Sequence, residues 1–398
     1  MGALVNRQNP IRVLHVTEAS NAGVGGHVLD LMEHLPEFGC DSHFVYSPNR
    51  VDDYFSERIR GFDPAKFSQI PMRRAPHWSD LKAARQILAC FEQEGPFDIV
   101  HAHSTKAGGL CRIGKIRQRT KVVYTPNGIF SMNPMSRAIS RNLVATVERR
   151  LSRKGHLVIA VSPEEDAHME TIGIPADRRR MIPNGLRPIQ WKTKTEVRNN
   201  LEMDSASFVF GFLGRLAKQK NPQMAIRCFA MIASEHPQSR LAMVGTGPLE
   251  DACRRLAVEL DVDDRIDWLG FRTANETMPA FDAFLMPSRY EGMPYVMMEA
   301  ISLGLPVIAT KVGGTSLGID DGDNGFVVPI GDDRAFGNAM NRLLTQSNHV
   351  AMREAALKKA ETFSVRLMAE RTSNAYRSLL GTSAQPIGVD LQQEMSAV

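Results

Sequence analysis

Glu291 and Glu299 stand on either side of a Gly292-Met293-Pro294 turn and the first residues of an apolar segment, within Ser288–Gly314, SRYEGMPYVMMEAISLGLPVIATKVGG. Ahead of them Ala283–Pro287 reads as a short strand, and the apolar run PVIAT follows. The order strand, loop, helix, strand puts the helix start at the carboxyl edge of a parallel sheet. Free N–H groups and the helix dipole attract an anion such as phosphate there. A bare carboxylate beside that phosphate would repel it, so the two glutamates are better used as two-oxygen acceptors for vicinal hydroxyls. A sugar at one glutamate and a ribose at the other describe a sugar nucleotide.

Such a ligand needs cations as well. Breaking a sugar–phosphate bond builds negative charge on the departing diphosphate, which fixed positive side chains stabilise. Arg215 and Lys220 lie in GRLAKQKNP, directly after the apolar strand Phe208–Leu213. Asn221 and Pro222 suit the N-cap and first position of a helix reaching about Ala233, which places Lys220 at a second anion-attracting helix start. Near the beginning of the chain, Ile11–Val16 reads as a strand, Asn21–Gly26 as a glycine loop and Val28–Leu35 as a helix, the opening of a nucleotide-binding α/β domain. A dinucleotide fingerprint would require glycine where Val28 stands, which argues against an oxidoreductase. A further strand runs into DIVHAHSTK, Asp98–Lys106. His101 and His103 are expected on opposite faces of it and hence to be poor partners for one metal ion. His103, nearer the loop, is assigned to the cleft and the other histidine to structure.

Glu291-x7-Glu299, with E-G-M-P behind the first glutamate and E-A-x-x-x-G-x-P-V-I-A-T behind the second, resembles the signature of the family-4 retaining glycosyltransferases. The resemblance covers essentially residues 10–380. It implies a GT-B fold, two Rossmann-like domains with parallel sheets facing across a cleft. It places Glu291 on the transferred sugar and Glu299 on the ribose, with Gly292, Met293 and Pro294 along the donor. Arg215 and Lys220 resemble the pair that grips the donor diphosphate. Gly25 and Gly26 resemble the G-G-x-x motif whose backbone approaches the donor phosphate. Gly247 lies in the turn Gly245–Pro248, and Phe271-Arg272 matches the place where relatives contact the base. Asn127, in YTPNGI, occupies a position where members usually carry histidine against the donor sugar; asparagine keeps hydrogen bonding there but cannot relay a proton. The implied activity is metal-independent hexosyl transfer with retention, from a UDP- or GDP-sugar to a glycan or polyprenyl-linked acceptor, by front-face displacement and without a cofactor. The alternatives are a nucleotide-sugar epimerase on a related fold and a non-catalytic sugar-nucleotide-binding protein.

Stepwise βα alternation along 398 residues predicts two α/β domains. The boundaries drawn are 1–185 for an acceptor-side domain and 186–363 for a donor domain. Helix 364–380 returns to the first domain, and 381–398 forms a flexible tail. Five scattered cysteines form no C-x-x-C pair, so neither a disulfide framework nor a zinc site is expected, and a cytoplasmic location fits. No window approaches a membrane span, and a net charge of +4 does not suggest nucleic-acid binding. Residues 137–154 are strongly basic on an apolar helical repeat, which suggests peripheral contact with the inner face of the plasma membrane. Asp261-x-Asp263 and Asp321-x-Asp323 have metal-binding shape but read as surface turns.

Overall fold

The computed structural model describes residues 9–113, 115–153, 157–345 and 349–382. Its architecture follows from where the apolar runs fall. The short runs Ile99–His103 and Ala283–Met286 are buried along their whole length, as strands covered on both faces by helices must be. Seven strands make the first sheet: β1 Ile11–Thr17, β2 Cys40–Tyr46, β3 Phe67–Gln69, β4 Ile99–His103, β5 Lys121–Thr125, β6 Leu157–Ala160 and β7 Arg179–Met181. They lie in the order β3-β2-β1-β4-β5-β6-β7. Six make the second: β8 Phe208–Leu213, β9 Ser239–Val244, β10 Ile266–Gly270, β11 Ala283–Met286, β12 Val307–Thr310 and β13 Gly325–Val328, in the order β10-β9-β8-β11-β12-β13. Every pairing between them is parallel. This is the expected pair of Rossmann-like sheets. The short edge strands β3 and β7 are ones that sequence reading passed over, because three partly exposed residues carry no usable alternation.

Each sheet reverses its strand order once, between β1 and β4 in the first and between β8 and β11 in the second. Crevices outside the carboxyl ends at such reversals are where open α/β sheets bind ligands. In the second sheet the loops leaving β8 and β11 are those that carry Arg215 and Lys220 on one side and Glu291 on the other. The sheet topology therefore brings together residues 71 or more positions apart in sequence.

The helix Val365–Leu380 begins at Ser364, whose side chain accepts from the Leu367 N–H, and ends at Gly381 in the left-handed region. Its Val365, Met368, Ala369 and Tyr376 share a buried cluster with Ile11, Val13 and Leu31 of the first sheet's layer. Residues of about this size each contribute roughly 1.5–3 kcal/mol on burial, enough to hold the chain's last helix on its first domain. The link between domains is drawn against the start of that helix: the Leu186 N–H donates to the Phe363 carbonyl at 2.8 Å. The proposed tail falls almost wholly on 383–398, outside the described residues.

Candidate active site

Lys220 Nζ lies 2.7 Å from Glu291 Oε1, joining the loop after β8 to the loop after β11. Glu291 is 7% exposed, so this is a largely buried carboxylate with a cation partner. Arg215, five residues before Lys220 in the same loop, is exposed and makes no ion pair among the described residues. The turn after β9 packs tightly on this loop. A Cβ on Gly247 would sit 2.5 Å from the Leu216 carbonyl oxygen, and one on Gly245 2.1 Å from that of Gly214. Gly245 N–H in turn donates to Gly270, the last residue of β10, so Phe271 and Arg272 leave from the same edge. Phe271 is 78% exposed there, an uncovered aromatic ring beside the carboxyl edge.

Glu299 lies on the helix Tyr295–Ser302, which has no acid in its first turn and no side-chain cap. Burial without a partner raises its carboxyl to about 7. Pro294 is the N-cap of this helix. Asn221 likewise holds the N-cap position before Pro222 but does no capping: it adopts φ 53 and its side chain takes no bond from the helix.

The first domain closes against these loops at several points. Asn184 Nδ2 donates to the Met293 carbonyl at 3.2 Å, and Tyr290 OH donates to the Ile129 carbonyl at 2.8 Å. Glu164 accepts from the Gly314 N–H at 2.9 Å and the Ser316 hydroxyl at 2.6 Å. A Cβ on Gly292 would meet the Gly128 nitrogen at 2.8 Å, so only glycine allows the donor-side loop this close to Asn127. Asn127 itself is held at φ 54, a left-handed conformation asparagine tolerates. Glu165 fixes that turn by accepting from the N–H groups of Gly128 at 3.0 Å and Ile129 at 2.7 Å. No local sequence signal announces this role, because the partner turn lies 36 residues away.

Two expectations are corrected. The glycine segment is not a loop: the helix runs Ala22–His34, and Gly23, Gly25 and Gly26 lie in its first turns. Packing explains the glycines, since a Cβ on Gly25 would come 2.1 Å from the Ser20 carbonyl and one on Gly23 2.9 Å from the Tyr295 ring of the other domain. Their N–H groups still belong to an uncapped helix start, Asn21 providing no side-chain bond. His101 and His103 do not face opposite ways. Residues two apart on a strand project to the same face, and their ring centroids are 4.0 Å apart. With His15 they bring one ring nitrogen each within 4.8 Å of the others, a spacing that could hold a metal ion. Both nitrogens of His101 are engaged, however, by Tyr376 OH at 2.7 Å and Thr125 Oγ1 at 2.8 Å, and His15 pairs with His103 at 3.1 Å. The bonding is that of a stack of neutral rings. Burial is the main cause that lowers His15 to about 3 and His27 to about 4, and His103 falls in the same direction. The turn Asp321–Asp323 is spent locally: Asp321 accepts from the Val327 N–H at 2.9 Å.

Buried polar atoms without a partner collect along the domain contact: Asn127 Nδ2, His103 Nδ1, His27 Nδ1, Asn184 Oδ1 and Tyr295 OH. Buried groups of this kind ordinarily find partners, and a run of unmet ones beside unpaired Arg215 and Glu299 marks a polar ligand site. Two family models match the chain: "Glycosyltransferase Family 4" over residues 21–188 and "Glycosyl transferases group 1" over 207–346. The chain belongs to the group 1, family 4 glycosyltransferases. Among curated relatives, an Escherichia coli UDP-Gal:alpha-D-GlcNAc-diphosphoundecaprenol alpha-1,3-galactosyltransferase is 26% identical over 333 residues, covering 81% of this chain and 84% of that protein. A D-inositol 3-phosphate glycosyltransferase of Corynebacterium jeikeium is 27% identical over 315 residues, covering 74% and 75%. The structure of Anabaena Alr3699/HepE in complex with UDP-glucose superimposes with a TM-score of 0.77 at 20% identity, over 92% of this chain and all of that one. This glycosyltransferase thus has the GT-B fold.

Proposed function

We propose that this glycosyltransferase moves a hexose from a UDP- or GDP-sugar to a hydroxyl of a lipid-linked glycan, with retention and without a metal. The observation that carries the reading is the Lys220–Glu291 pair, joining the loop that also carries an unpaired Arg215 to the loop that leads into the helix of an unpartnered Glu299. In the complex, Lys220 and Arg215 take the diphosphate, assisted by the uncapped helix starts at Ala22 and Tyr295. Glu291 turns to the hydroxyls of the transferred sugar and Glu299 to the ribose. Two fixed cations at the leaving group supply the charge stabilisation that a divalent ion supplies elsewhere. Glu291 is committed to binding, which leaves no carboxylate as covalent nucleophile and favours departure and attack on one face. The uridine nucleotides named for the E. coli relative and the Anabaena structure support a UDP-sugar first, and the diphosphoundecaprenol acceptor named for that relative supports a lipid-linked acceptor. No described helix is long and apolar enough to cross a membrane. The basic helix within 137–154 is assigned to peripheral contact, with Lys154 outside the described residues.

The test is a thermal-shift and hydrolysis screen of UDP-, GDP- and ADP-sugars, followed by NMR of the anomeric configuration of the transferred sugar. Saturable binding of one donor and a product of unchanged configuration are expected. Inversion would overturn the mechanism, and donor binding without hydrolysis or transfer would favour a non-catalytic binding protein.

A further inference from the structure

The donor groups described above use the carboxyl edge of the second sheet, but the facing edge of the first carries a polar assembly that they leave unexplained. It lies at the β1/β4 reversal, where Thr17 pairs in register with His103 and the chain leaves both strands toward the same crevice. Glu18, the first residue after β1, is only 4% exposed although it is a carboxylic acid. One of its oxygens accepts from Arg50 Nη1 at 3.0 Å, and the other accepts from the Ser104 hydroxyl. Arg50 follows β2 and Ser104 follows β4, so one buried acid ties together the ends of three neighbouring strands. Ser104 is held at φ 80, ψ 158, a conformation that residues other than glycine seldom adopt.

A simple tie between loops would be served by glycine at position 104 and apolar contacts at position 18. What the chain has instead is a buried, hydrogen-bonded carboxyl group and a strained serine, at the place in the topology where ligands bind. Arg50 is not buried with its partner; its side chain stays 29% exposed. A carboxylate has about four lone-pair positions and a guanidinium five N–H groups, so both retain bonding capacity beyond this contact. An acceptor and donors side by side in one crevice are the complement of a pair of sugar hydroxyls. The segment also lies close to the donor side. Ser20 is followed within three residues by Gly23, which packs on Tyr295 of the second domain, and Ser104 directly follows His103.

We propose that Glu18, Arg50 and Ser104 form the acceptor subsite, holding hydroxyls of an acceptor sugar so that one of them faces the donor across the cleft. The assignment rests on the glycosyltransferase reading above and deepens it. Glu18 accepts hydrogen bonds from acceptor hydroxyls, Arg50 donates to the neighbouring oxygen, and the Ser104 turn fixes both relative to His103.

The experiment measures KM separately for donor and acceptor in the wild type, Glu18→Gln, Arg50→Gln and Ser104→Gly. The donor is the best nucleotide sugar from the screen. The acceptors are octyl glycosides of glucose, galactose, mannose and N-acetylglucosamine, together with GlcNAc-diphosphoundecaprenol. Glu18→Gln and Arg50→Gln are expected to raise acceptor KM at least tenfold while donor KM moves less than threefold. Ser104→Gly, relieved of strain but deprived of its bond, is expected to fall between them and the wild type. Arg50→Gln alters a partly exposed side chain and keeps the test alive should Glu18→Gln melt early. An unchanged acceptor KM in Arg50→Gln, or equal rises in both constants, overturns the subsite. So does a wild type that binds the donor but none of these acceptors, which leaves the donor reading standing. Failure to bind any nucleotide sugar instead removes the glycosyltransferase reading on which the subsite rests.

Discussion

Lys220 and Glu291 form an ion pair at 2.7 Å, so the cation proposed for the leaving diphosphate and the acid proposed for the sugar hold each other in place in the free protein. The pair pre-positions both side chains, at the cost of a bond that the donor must replace. Removing one partner therefore does more than delete a contact. Lys220→Ala strips the diphosphate of a cation and leaves Glu291 unpaired in a nearly dry site. A loss on the order of 100- to 1,000-fold in kcat is expected, as for other groups that stabilise developing charge. Arg215→Ala, which breaks no ion pair, should lower kcat comparably while leaving Tm within about a degree or two. Nucleotide-release assays with melting curves distinguish the two, and full activity in Arg215→Ala would remove it from the site.

Glu299 carries a pH dependence of its own. Its carboxyl is raised to about 7 by burial, so in the free protein it is protonated in much of the population at pH 6. A ribose diol is best held by the ionised form. Donor KM is expected to rise as pH falls below about 7, and Glu299→Gln to flatten that rise while weakening binding at pH 8. The stability effect runs the other way. A carboxyl whose folded value is raised costs stability as pH climbs from about 4.5, the unfolded value, through about 7. Glu299→Gln should therefore increase Tm at pH 8 and change it little at pH 4.5. A mutant that binds donor as tightly as the wild type would exclude the ribose assignment.

Much of this site was legible because its signals are local. The E-G-M-P turn, the glutamate spacing and the strand before Arg215 each lie within one short window, and the sheets repeat the same βα grammar. What was not legible depends on pairing across sequence. Glu18 and Ser104 meet 86 residues apart, and nothing in TEAS or HSTK announces a tie between them. The glycines of Asn21–Gly26 looked like a loop because propensity penalises them in a helix, whereas contacts with Ser20 and Tyr295 demand them there. The histidines were misplaced by a misreading of strand period, since i and i+2 share a face. In the helix Ala138–Ser152, whose apolar repeat reads as a membrane-facing stripe, Ile139 is 83% and Leu143 64% exposed, but nothing local announces that Glu148 turns inward to Arg112 at 2.7 Å.

The histidine stack predicts acid sensitivity. His15 at about 3 and His27 at about 4 are both lowered by burial from an ordinary value of 6.5, and His101 and His103 shift the same way. The unfolded chain takes up protons below about pH 6.5 that the folded one refuses. Stability is therefore fully present above that pH and is lost progressively as pH falls through the range toward 3. Each such histidine contributes a slope approaching about 1.4 kcal/mol per pH unit within its window. Denaturant melts between pH 7.5 and 5 should show a steep fall, and His15→Gln should make it shallower. A flat profile would mean that the rings are not held neutral.

The outward stripe of helix 138–152 is the basis of the last expectation. Ile139, Leu143 and Val147 recur every four residues on the solvent side, with Met135 also exposed ahead of them and Arg137, Arg149, Arg150 and Arg153 on the surface alongside. Apolar side chains beside arginines fit an anionic lipid surface, where the chains enter the interface and the guanidinium groups remain among the headgroups. Changing Ile139, Leu143 and Val147 together to serine should abolish sedimentation with vesicles containing phosphatidylglycerol. Arginine-to-glutamine changes should weaken it in a salt-dependent way. Because these apolar side chains are exposed, the triple variant should keep its Tm and its turnover of a soluble acceptor, losing only the advantage gained on a lipid-linked one. Equal vesicle binding by the triple variant and the wild type would leave the stripe without a membrane role.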